Sequence, residues 1–186
     1  MRIFLGVFPP PPVQGVLHAA AEPLRRAGAA VSWVKAENLH YTMRFIGEVG
    51  DDGARRVAEA ADEAAAACRA FEAEAGEFGA FPSPRRARVL WIGLARGGEE
   101  LVALAGTLAR ALERRGFGKP DQPFAAHLTL GRVRRGTADW SGPLAAAGRP
   151  GGPLARFTVD RLCVVESTLS PQGSIYNVRS AAPLAS

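Results

Sequence analysis

Leu39-His40-Tyr41-Thr42-Met43-Arg44-Phe45-Ile46 is the stretch from which the fold of this chain is most directly inferred. Apolar and polar side chains alternate along it, which predicts a strand with one buried face. We expect the buried face to lie under helices and the polar face to border a groove. The buried face carries Leu39, Tyr41, Met43 and Phe45, and the polar face carries His40, Thr42 and Arg44.

The same pattern recurs at His127-Leu128-Thr129-Leu130, within a strand predicted over 126–133. Both copies have a histidine, a threonine two positions later and then a bulky apolar residue. Two such copies are rare by chance, because the chain has three histidines in all. Strand geometry places His127 and Thr129 on one face, as it does His40 and Thr42. Each strand therefore presents an imidazole and a hydroxyl to a groove.

Strands and helices alternate along the rest of the chain, which predicts an α+β fold with mostly antiparallel strands. Period-two patterns predict the strands, and apolar residues at helical spacing predict the helices. Pro23 interrupts the first helical stretch, so we expect a break there. The predicted strands cover 2–8, 31–35, 39–46, 71–78, 87–94, 126–133, 157–165 and 174–178; the helices cover a stretch ending near 28, then 57–68 and 101–112; and 142–153 is predicted as a surface loop after a short helical piece.

Arginine supplies nearly all of the positive charge. The chain has 23 Lys plus Arg against 18 Asp plus Glu, a net charge of +5, and its lysines are Lys35 and Lys119. The planar guanidinium suits bidentate phosphate contacts, but a general arginine bias explains the same excess. We interpret five arginines as solvated charges, with an RNA path as the alternative: Arg85, Arg86, Arg88, Arg134 and Arg135.

Length and cysteine content indicate a single domain in a reducing compartment. A chain of 186 residues fits one domain over 1–186, and we expect a monomer. Cys68 and Cys163 have neither zinc-ligand nor redox spacing, so we expect a cytoplasmic protein. The apolar run at 3–8 is too short for an export signal or a membrane span, and no membrane partner is expected.

Two imidazoles and two hydroxyls facing one groove suit phosphodiester cleavage without a metal. One histidine activates the attacking oxygen, the other protonates the leaving oxygen, and Thr42 and Thr129 bind the non-bridging oxygens. A metal site is the competing interpretation. Neither motif has a further Cys, His or carboxylate on its strand face, and Arg44 on the His40 face repels a cation. We therefore expect neither a metal nor a cofactor.

Arg132 and His18 are harder to interpret from their spacing. Strict alternation puts Arg132 on the face opposite His127, so a bulge near Gly131 is needed to bring it to the groove. A solvent-exposed arginine at a strand end is the alternative. His18 lies in an Ala-rich helix outside both motifs, and we interpret it as a surface or packing residue.

These residues resemble the two-histidine phosphoesterase superfamily, and in particular its RNA 2′,3′-cyclic phosphodiesterases, which are also called the 2′-5′ RNA ligase family. The similarity extends over nearly the whole chain. Ala126 is a departure, since relatives often carry proline before the second histidine. The similar stretches are Arg2–Phe4, Trp33–Glu48, Phe81–Trp91, Phe124–Arg132 and Glu166–Gly173.

The resemblance implies a bilobal α+β fold, with two small antiparallel sheets, helices on their outer faces and a central active-site groove. It implies hydrolysis of 2′,3′-cyclic phosphates on RNA ends or nucleotides to 2′-phosphomonoesters. It also implies that His40 is the proton donor, His127 the proton acceptor and Arg132 a substrate contact. We expect 2′-5′ ligation as the reverse reaction. The alternatives are a related enzyme with another cyclic phosphate substrate and an RNA-end-binding module with little turnover.

Overall fold

The structure is a computed structural model that describes residues 1–28, 30–147, 152–171 and 173–186. Its strands are β1 (Arg2–Val7), β2 (Val31–Trp33), β3 (Tyr41–Glu48), β4 (Phe71–Phe81), β5 (Val89–Arg96), β6 (Leu128–Val133), β7 (Ala155–Val159), β8 (Arg161–Ser170) and β9 (Gly173–Pro183). Its helices are α1 (Pro11–Ala20), α2 (Glu22–Ala27), α3 (Asp51–Ala66), α4 (Gly98–Arg114) and α5 (Ser141–Ala147), with short 3-10 turns at Ala36–Asn38 and Pro84–Arg86.

The strands form two antiparallel halves that meet at the strands carrying the histidine motifs. Their order is β7-β4-β5-β6-β3-β1-β8-β9, and β2 pairs with β6. β3 and β6 are joined by one residue pair, Tyr41 opposite Leu128. We call β1, β3, β8 and β9 lobe 1, and β2 and β4 to β7 lobe 2. The predicted α+β fold with two antiparallel halves is confirmed, and the single pair makes the halves continuous as one curled sheet.

The helices cover the outer face of this sheet and bury its apolar side chains. α3 lies on β8 and β9 and packs against α4, while α1 contacts β7 and α5 contacts β4. None of the helices described is long and apolar enough to cross a bilayer. The predicted apolar stripes are buried, and they comprise Val57, Ala60, Ala61 and Ala64 in α3 and Leu101, Leu104, Ala105, Leu108 and Leu112 in α4.

One predicted helix break is confirmed, and two other predicted elements differ from the structure. The first helix breaks as expected, because α1 ends at Ala20 and Pro23 lies in the first turn of α2, where a proline ring is tolerated. The single strand predicted over 157–165 is wrong, since the chain passes at Asp160 from β7 in lobe 2 to β8 in lobe 1. The predicted loop over 142–153 contains most of α5, and its residues 148–151 lie outside the described residues.

Candidate active site

Both motif histidines stand immediately before a strand at the junction of the lobes. His40 precedes β3 and His127 precedes β6. Each of these strands begins two residues later in the structure than the sequence pattern predicts. The residues that follow them, Tyr41 and Leu128, lie opposite each other and are 1% and 0% exposed. Because neighbouring side chains on a strand point to opposite faces, both histidines point away from the core. The pairing of the lobes thus brings the two imidazoles to the groove face.

The two motif threonines lie on the same face as the histidines. Each follows a residue buried in the core, Tyr41 before Thr42 and Leu128 before Thr129, and each is only partly buried. In an antiparallel pair centred on those core residues, Thr42 falls across from His127 and Thr129 across from His40. The predicted groove face with two imidazoles and two hydroxyls therefore forms from both lobes.

Each imidazole is oriented by a backbone carbonyl two residues before it. His40 Nδ1 lies 2.7 Å from the Asn38 carbonyl oxygen, and His127 Nδ1 lies 2.8 Å from the Ala125 carbonyl oxygen. A carbonyl only accepts hydrogen bonds, so both Nδ1 atoms carry a proton and donate it. In the neutral ring Nε2 is then an acceptor, and the Thr42 hydroxyl donates to His40 Nε2 over 2.9 Å. Both Nε2 atoms are left to exchange protons at the groove.

Aromatic rings surround His40 and lower its pKa. The Phe8 ring stacks on the imidazole with centroids 4.9 Å apart, and Phe4 and Tyr176 contact it at 4.8 and 5.4 Å. The pKa of His40 is lowered to about 4, chiefly by burial; the Asn38 carbonyl opposes this shift and the charge of protonated His127 adds to it. His40 of the protein alone is therefore neutral at pH 7.

His127 lies in a more open environment beside a positive charge. Its imidazole contacts the Phe81 ring edge-on, with centroids 5.0 Å apart. Burial lowers the pKa of His127, the Ala125 carbonyl opposes that shift, and the Arg132 guanidinium lowers the pKa further. His127 is accordingly kept neutral by both its burial and its neighbour.

A β-bulge in β6 turns Arg132 toward the groove. Thr129 pairs with Trp91 and Gly131 with Leu90, so Leu130 is an extra residue with no partner in β5. The bulge shifts the alternation by one residue, and Arg132 returns to the face of Thr129. The placement of Arg132 on the opposite face, which follows from strict alternation, is therefore wrong. The bulge near Gly131 that would bring Arg132 to the groove is present. Gly131 allows β2 to pack closely against the bulged strand, because a Cβ at this position would lie 2.6 Å from Val31 Cγ1.

A second bulge, in β3, changes the predicted position of Arg44. Thr42 pairs with Gly6 and Arg44 with Leu5, so Met43 is the extra residue. Arg44 consequently lies on the helix-covered face, where its Nη2 donates to the carbonyl oxygens of Phe117 and Gly118 at 3.4 and 3.3 Å. The prediction that Arg44 shares the His40 face is wrong.

Phe45 takes the place on the groove face that had been expected for Arg44. It is 55% exposed, and its ring lies 5.8 Å from that of Phe4, which in turn contacts His40. Alternation without a bulge predicts that Phe45 lies in the core on the face of Tyr41, and this prediction is wrong. The exposed aromatic side chain of Phe45 therefore belongs to the site, and the sequence pattern did not predict this.

Two further residues support the site and were not predicted. Asn38 orients His40 through its carbonyl, and its Nδ2 donates to the Ser174 carbonyl oxygen over 2.8 Å, which joins the 3-10 turn to β9. Tyr176 of β9 packs against His40, and burial raises the pKa of its hydroxyl. Both contacts join segments distant in the chain, so no local pattern indicates them. Within the described residues there is no group of three or more His, Cys, Asp or Glu side chains arranged to hold a metal.

Comparison with known families gives a direct match to both halves of the chain. The family model described as LigT like Phosphoesterase matches twice, over residues 7–91 and 92–176. The chain belongs to the LigT-like phosphoesterase family. One match contains His40 and the other His127, which agrees with two related halves that each carry one motif.

Curated members of this family align with nearly the whole chain. A protein of Archaeoglobus fulgidus named RNA 2′,3′-cyclic phosphodiesterase is 34% identical over 179 residues, covering 95% of this chain and 96% of that protein. Proteins of the same name from Methanothermobacter thermautotrophicus and Thermotoga maritima are each 30% identical, and they align with 95% and 96% of this chain and with 95% and 92% of their own lengths.

Solved structures of LigT-like proteins share the fold. The crystal structure of TT0787 of Thermus thermophilus has a TM-score of 0.78 and 25% identity, and the alignment covers 99% of this chain and 98% of that one. The structure of E. coli LigT complexed with 3′-AMP also has a TM-score of 0.78, at 22% identity, and covers 100% of this chain and 98% of that one. The two-lobed arrangement is therefore that of the family.

Proposed function

We propose that this protein hydrolyses 2′,3′-cyclic phosphate ends of RNA to 2′-phosphomonoesters, with His40 as proton donor and His127 as proton acceptor. The observation that carries the proposal is the matched pair of imidazoles, each held by a backbone carbonyl at Nδ1 and presenting Nε2 to one groove. Relatives aligned over most of the chain are named RNA 2′,3′-cyclic phosphodiesterase, which supports this substrate class. The enzyme is a phosphodiester hydrolase.

The reaction is an in-line displacement at phosphorus. A water oxygen attacks the phosphorus while Nε2 of His127 accepts the proton of that water. The bond from phosphorus to the 3′ oxygen breaks, and Nε2–H of His40 donates its proton to that oxygen. The products are a free 3′ hydroxyl and a 2′-phosphomonoester. The proton acquired by His127 replaces the one that His40 gave up, so exchange with solvent restores both rings for the next turnover.

Electrostatics support this division of roles between the histidines. The Arg132 charge adds to burial in lowering the pKa of His127, so His127 is neutral and able to accept a proton. Burial lowers the pKa of His40 to about 4, and a phosphate anion beside Nε2 raises it, because opposite charges attract strongly where water is excluded. His40 thus becomes protonated when the substrate binds, and it later donates this proton to the 3′ oxygen.

The phosphate oxygens are bound by groups from both lobes. The Thr42 and Thr129 hydroxyls donate to the non-bridging oxygens, and Arg132 supplies a positive charge on the same face. Negative charge increases on these oxygens as the water attacks, so the three groups stabilise the transition state more than the bound substrate. Since the site takes residues from both lobes, we propose that residues 1–186 act as a single domain, and as a monomer.

The terminal nucleobase lies over Phe45 in this proposal. An exposed ring on the groove face offers a surface on which any base can stack, and such stacking is typically worth about 1–3 kcal/mol per base. The Phe4 ring packs against both the Phe45 ring and the His40 imidazole. In this proposal the base therefore stacks on Phe45 while the phosphate lies beside His40.

A reducing, cytoplasmic compartment is part of the proposal. Cys68 and Cys163 are both free thiols, and burial raises the pKa of Cys163, which keeps that thiol protonated and unreactive. The site residues proposed above contain no thiol or carboxylate that would hold a metal, and we propose that the reaction needs neither a metal nor a cofactor.

The test is hydrolysis of an oligoribonucleotide ending in a 2′,3′-cyclic phosphate, with EDTA present and with 2′- and 3′-phosphate products separated. We expect 2′-phosphate product at a rate that EDTA leaves unchanged. Formation of 3′-phosphate would reverse the assignment of the leaving oxygen, and loss of activity in EDTA would support a metal site. Binding without turnover would support an RNA-end-binding module instead. Incubating RNA that ends in a 2′,3′-cyclic phosphate with a second RNA that begins with a 5′-hydroxyl tests for 2′-5′ ligation, in which the 5′ oxygen attacks phosphorus in place of water and the 3′ oxygen leaves.

Histidine variants test the mechanism itself. We expect His40→Ala and His127→Ala each to lower kcat by about 10²- to 10⁴-fold, because each removes one proton transfer. The third histidine provides the matched control, and His18→Ala should retain wild-type kcat. Thermal unfolding of all three variants separates loss of chemistry from loss of fold. A double variant, H40A/H127A, that still turns over would exclude the two-histidine mechanism.

A further inference from the structure

An exposed group of arginines lies next to the site, outside the residues that contact the phosphate in the proposed mechanism. We call it the arginine surface, and it consists of Arg85, Arg86, Arg88, Arg134 and Arg135. The Val133 amide donates to the Arg88 carbonyl oxygen over 2.9 Å, and the Arg134 amide donates to the Ala30 carbonyl oxygen over 2.9 Å. The segments just before β5 and just after β6, which carry Arg88 and Arg134, therefore lie side by side.

This surface is continuous with the active site on two sides. Arg134 lies two residues after Arg132, just beyond the end of β6, and its amide continues the pairing with the segment of β2 at Ala30. Arg85 and Arg86 lie in the 3-10 turn that follows Phe81, the residue whose ring contacts His127. Positive charge thus extends outward from the histidine groove along lobe 2.

The arginine surface is not neutralised by carboxylates within the described part of the chain. No ion pair joins any of its five guanidinium groups to an Asp or Glu there, whereas helix arginines such as Arg25, Arg55 and Arg114 are all ion-paired. Asp139 is a nearby carboxylate: Ser141 hydrogen bonds chiefly lower its pKa, and the Arg85 charge contributes. One acidic group offsets only a part of this surface.

We propose that the arginine surface binds the phosphodiester backbone of single-stranded RNA on the 5′ side of the terminal nucleotide. The inference rests on the proposed function, since the chain end in the groove determines where the preceding nucleotides lie. Guanidinium groups that neutralise backbone phosphates release condensed counterions, which strengthens binding without reading base sequence. The preferred substrate is then an oligonucleotide end rather than a cyclic mononucleotide.

A charge-matched pair of triple variants tests this inference. The test variant is R85Q/R86Q/R134Q. The control variant is R69Q/R96Q/R110Q, which removes the same charge from three exposed arginines that stand apart, in different segments, and form no ion pair with a described residue. Binding is measured by fluorescence anisotropy with a labelled RNA of about ten nucleotides ending in a 2′-phosphate, a length within the usual range of single-strand sites.

The test variant should bind this RNA about tenfold or more weakly at 0.1 M salt, with the slope of log K against log salt reduced by about 2, since each single-strand phosphate contact contributes about 0.7. Its kcat/KM for a 2′,3′-cyclic mononucleotide should stay within about twofold of wild type, while that for the cyclic-ended oligonucleotide falls. The control variant should match wild type in all three measurements.

Two results would overturn the inference. If both triple variants lost the same RNA affinity, the effect would be one of net charge, and if the test variant lost none, the arginine surface would not bind RNA. A wild-type protein that hydrolyses neither substrate would reject the proposed function. The binding comparison with the product RNA still decides the arginine surface in that case, because it needs no turnover.

Discussion

Phe45 and Arg132 occupy equivalent positions in the two halves of the chain: each lies five residues after a motif histidine, and a β-bulge turns each onto the groove face. The bulge residues, Met43 and Leu130, are themselves equivalent. The two halves therefore share the histidine, the threonine and the bulge, and differ in the side chain that the bulge delivers. One half offers an aromatic ring and the other a guanidinium, the two groups to which the proposed function assigns the base and the phosphate.

Replacing Phe45 with alanine is expected to weaken substrate binding without impairing proton transfer. Loss of the stacking surface should raise KM about 5- to 150-fold with little change in kcat, corresponding to about 1–3 kcal/mol of base stacking. Steady-state kinetics with a 2′,3′-cyclic mononucleotide measure this. Phe45→Trp, which preserves a ring, should keep a low KM. A large fall in kcat with unchanged KM would argue against a stacking role.

Replacing Arg132 with glutamine is expected to lower kcat by about 10²- to 10³-fold, as for loss of one transition-state donor. It should also change the pH profile. The Arg132 charge lowers the pKa of His127, so removing it raises that pKa, and His127 becomes protonated, and inactive as a base, at higher pH. The acidic limb of kcat/KM should therefore move to higher pH. Arg69→Gln, a distant exposed arginine, should leave the profile unmoved.

Replacing Gly131 with alanine is expected to disturb the bulge on which the position of Arg132 depends. The new Cβ would lie 2.6 Å from Val31 Cγ1 and 2.9 Å from Trp33 Cε3, so β2 must shift. We expect a loss of about 1–3 kcal/mol in the free energy of unfolding, as for other overpacked sites, and lower kcat/KM. Urea unfolding measures the first effect.

Gly106→Ala is the matched control for that substitution. Gly106 lies inside α4, and the nearest atom to its added Cβ is Arg110 Nη1 at 3.6 Å. This variant should be unchanged or more stable, since alanine is the better helix former. If Gly131→Ala were as stable and active as Gly106→Ala, Gly131 would not be needed for the bulge.

Burial of neutral His40 should make the protein less stable in acid. Its folded pKa is about 4 and its unfolded pKa is near 6.5, so the unfolded chain binds this proton first as pH falls. Stability from this group is complete above pH 6.5 and decreases between pH 6.5 and 4, by about 3 kcal/mol in total. Urea unfolding at pH 7 and pH 4.5 measures the change. His40→Gln should show a shallower loss than wild type, whereas His18→Gln should follow the wild-type trend.

Much of the site is a local property of the sequence. Two copies of His, any residue, Thr predict the face that carries the proposed catalytic groups, because side chains on a strand alternate whatever the strand pairs with. The helix stripes in α3 and α4 are predicted for the same reason, since a 3.6-residue period needs no knowledge of the partner. The sequence by itself therefore determined the α+β class, the four motif residues and their common face.

The tertiary structure decided what depends on a neighbouring strand. A bulge exists only relative to a partner, so alternation alone placed Phe45, Arg44 and Arg132 on the wrong faces. The change of lobe at Asp160 also depends on pairing: β7 pairs with β4 and β8 pairs with β1, and the exposed Asp160 and Arg161 that interrupt the apolar pattern do not indicate which strand each segment joins. The pairing of Tyr41 with Leu128 joins residues far apart in the chain, and this contact brings the two imidazoles into one groove.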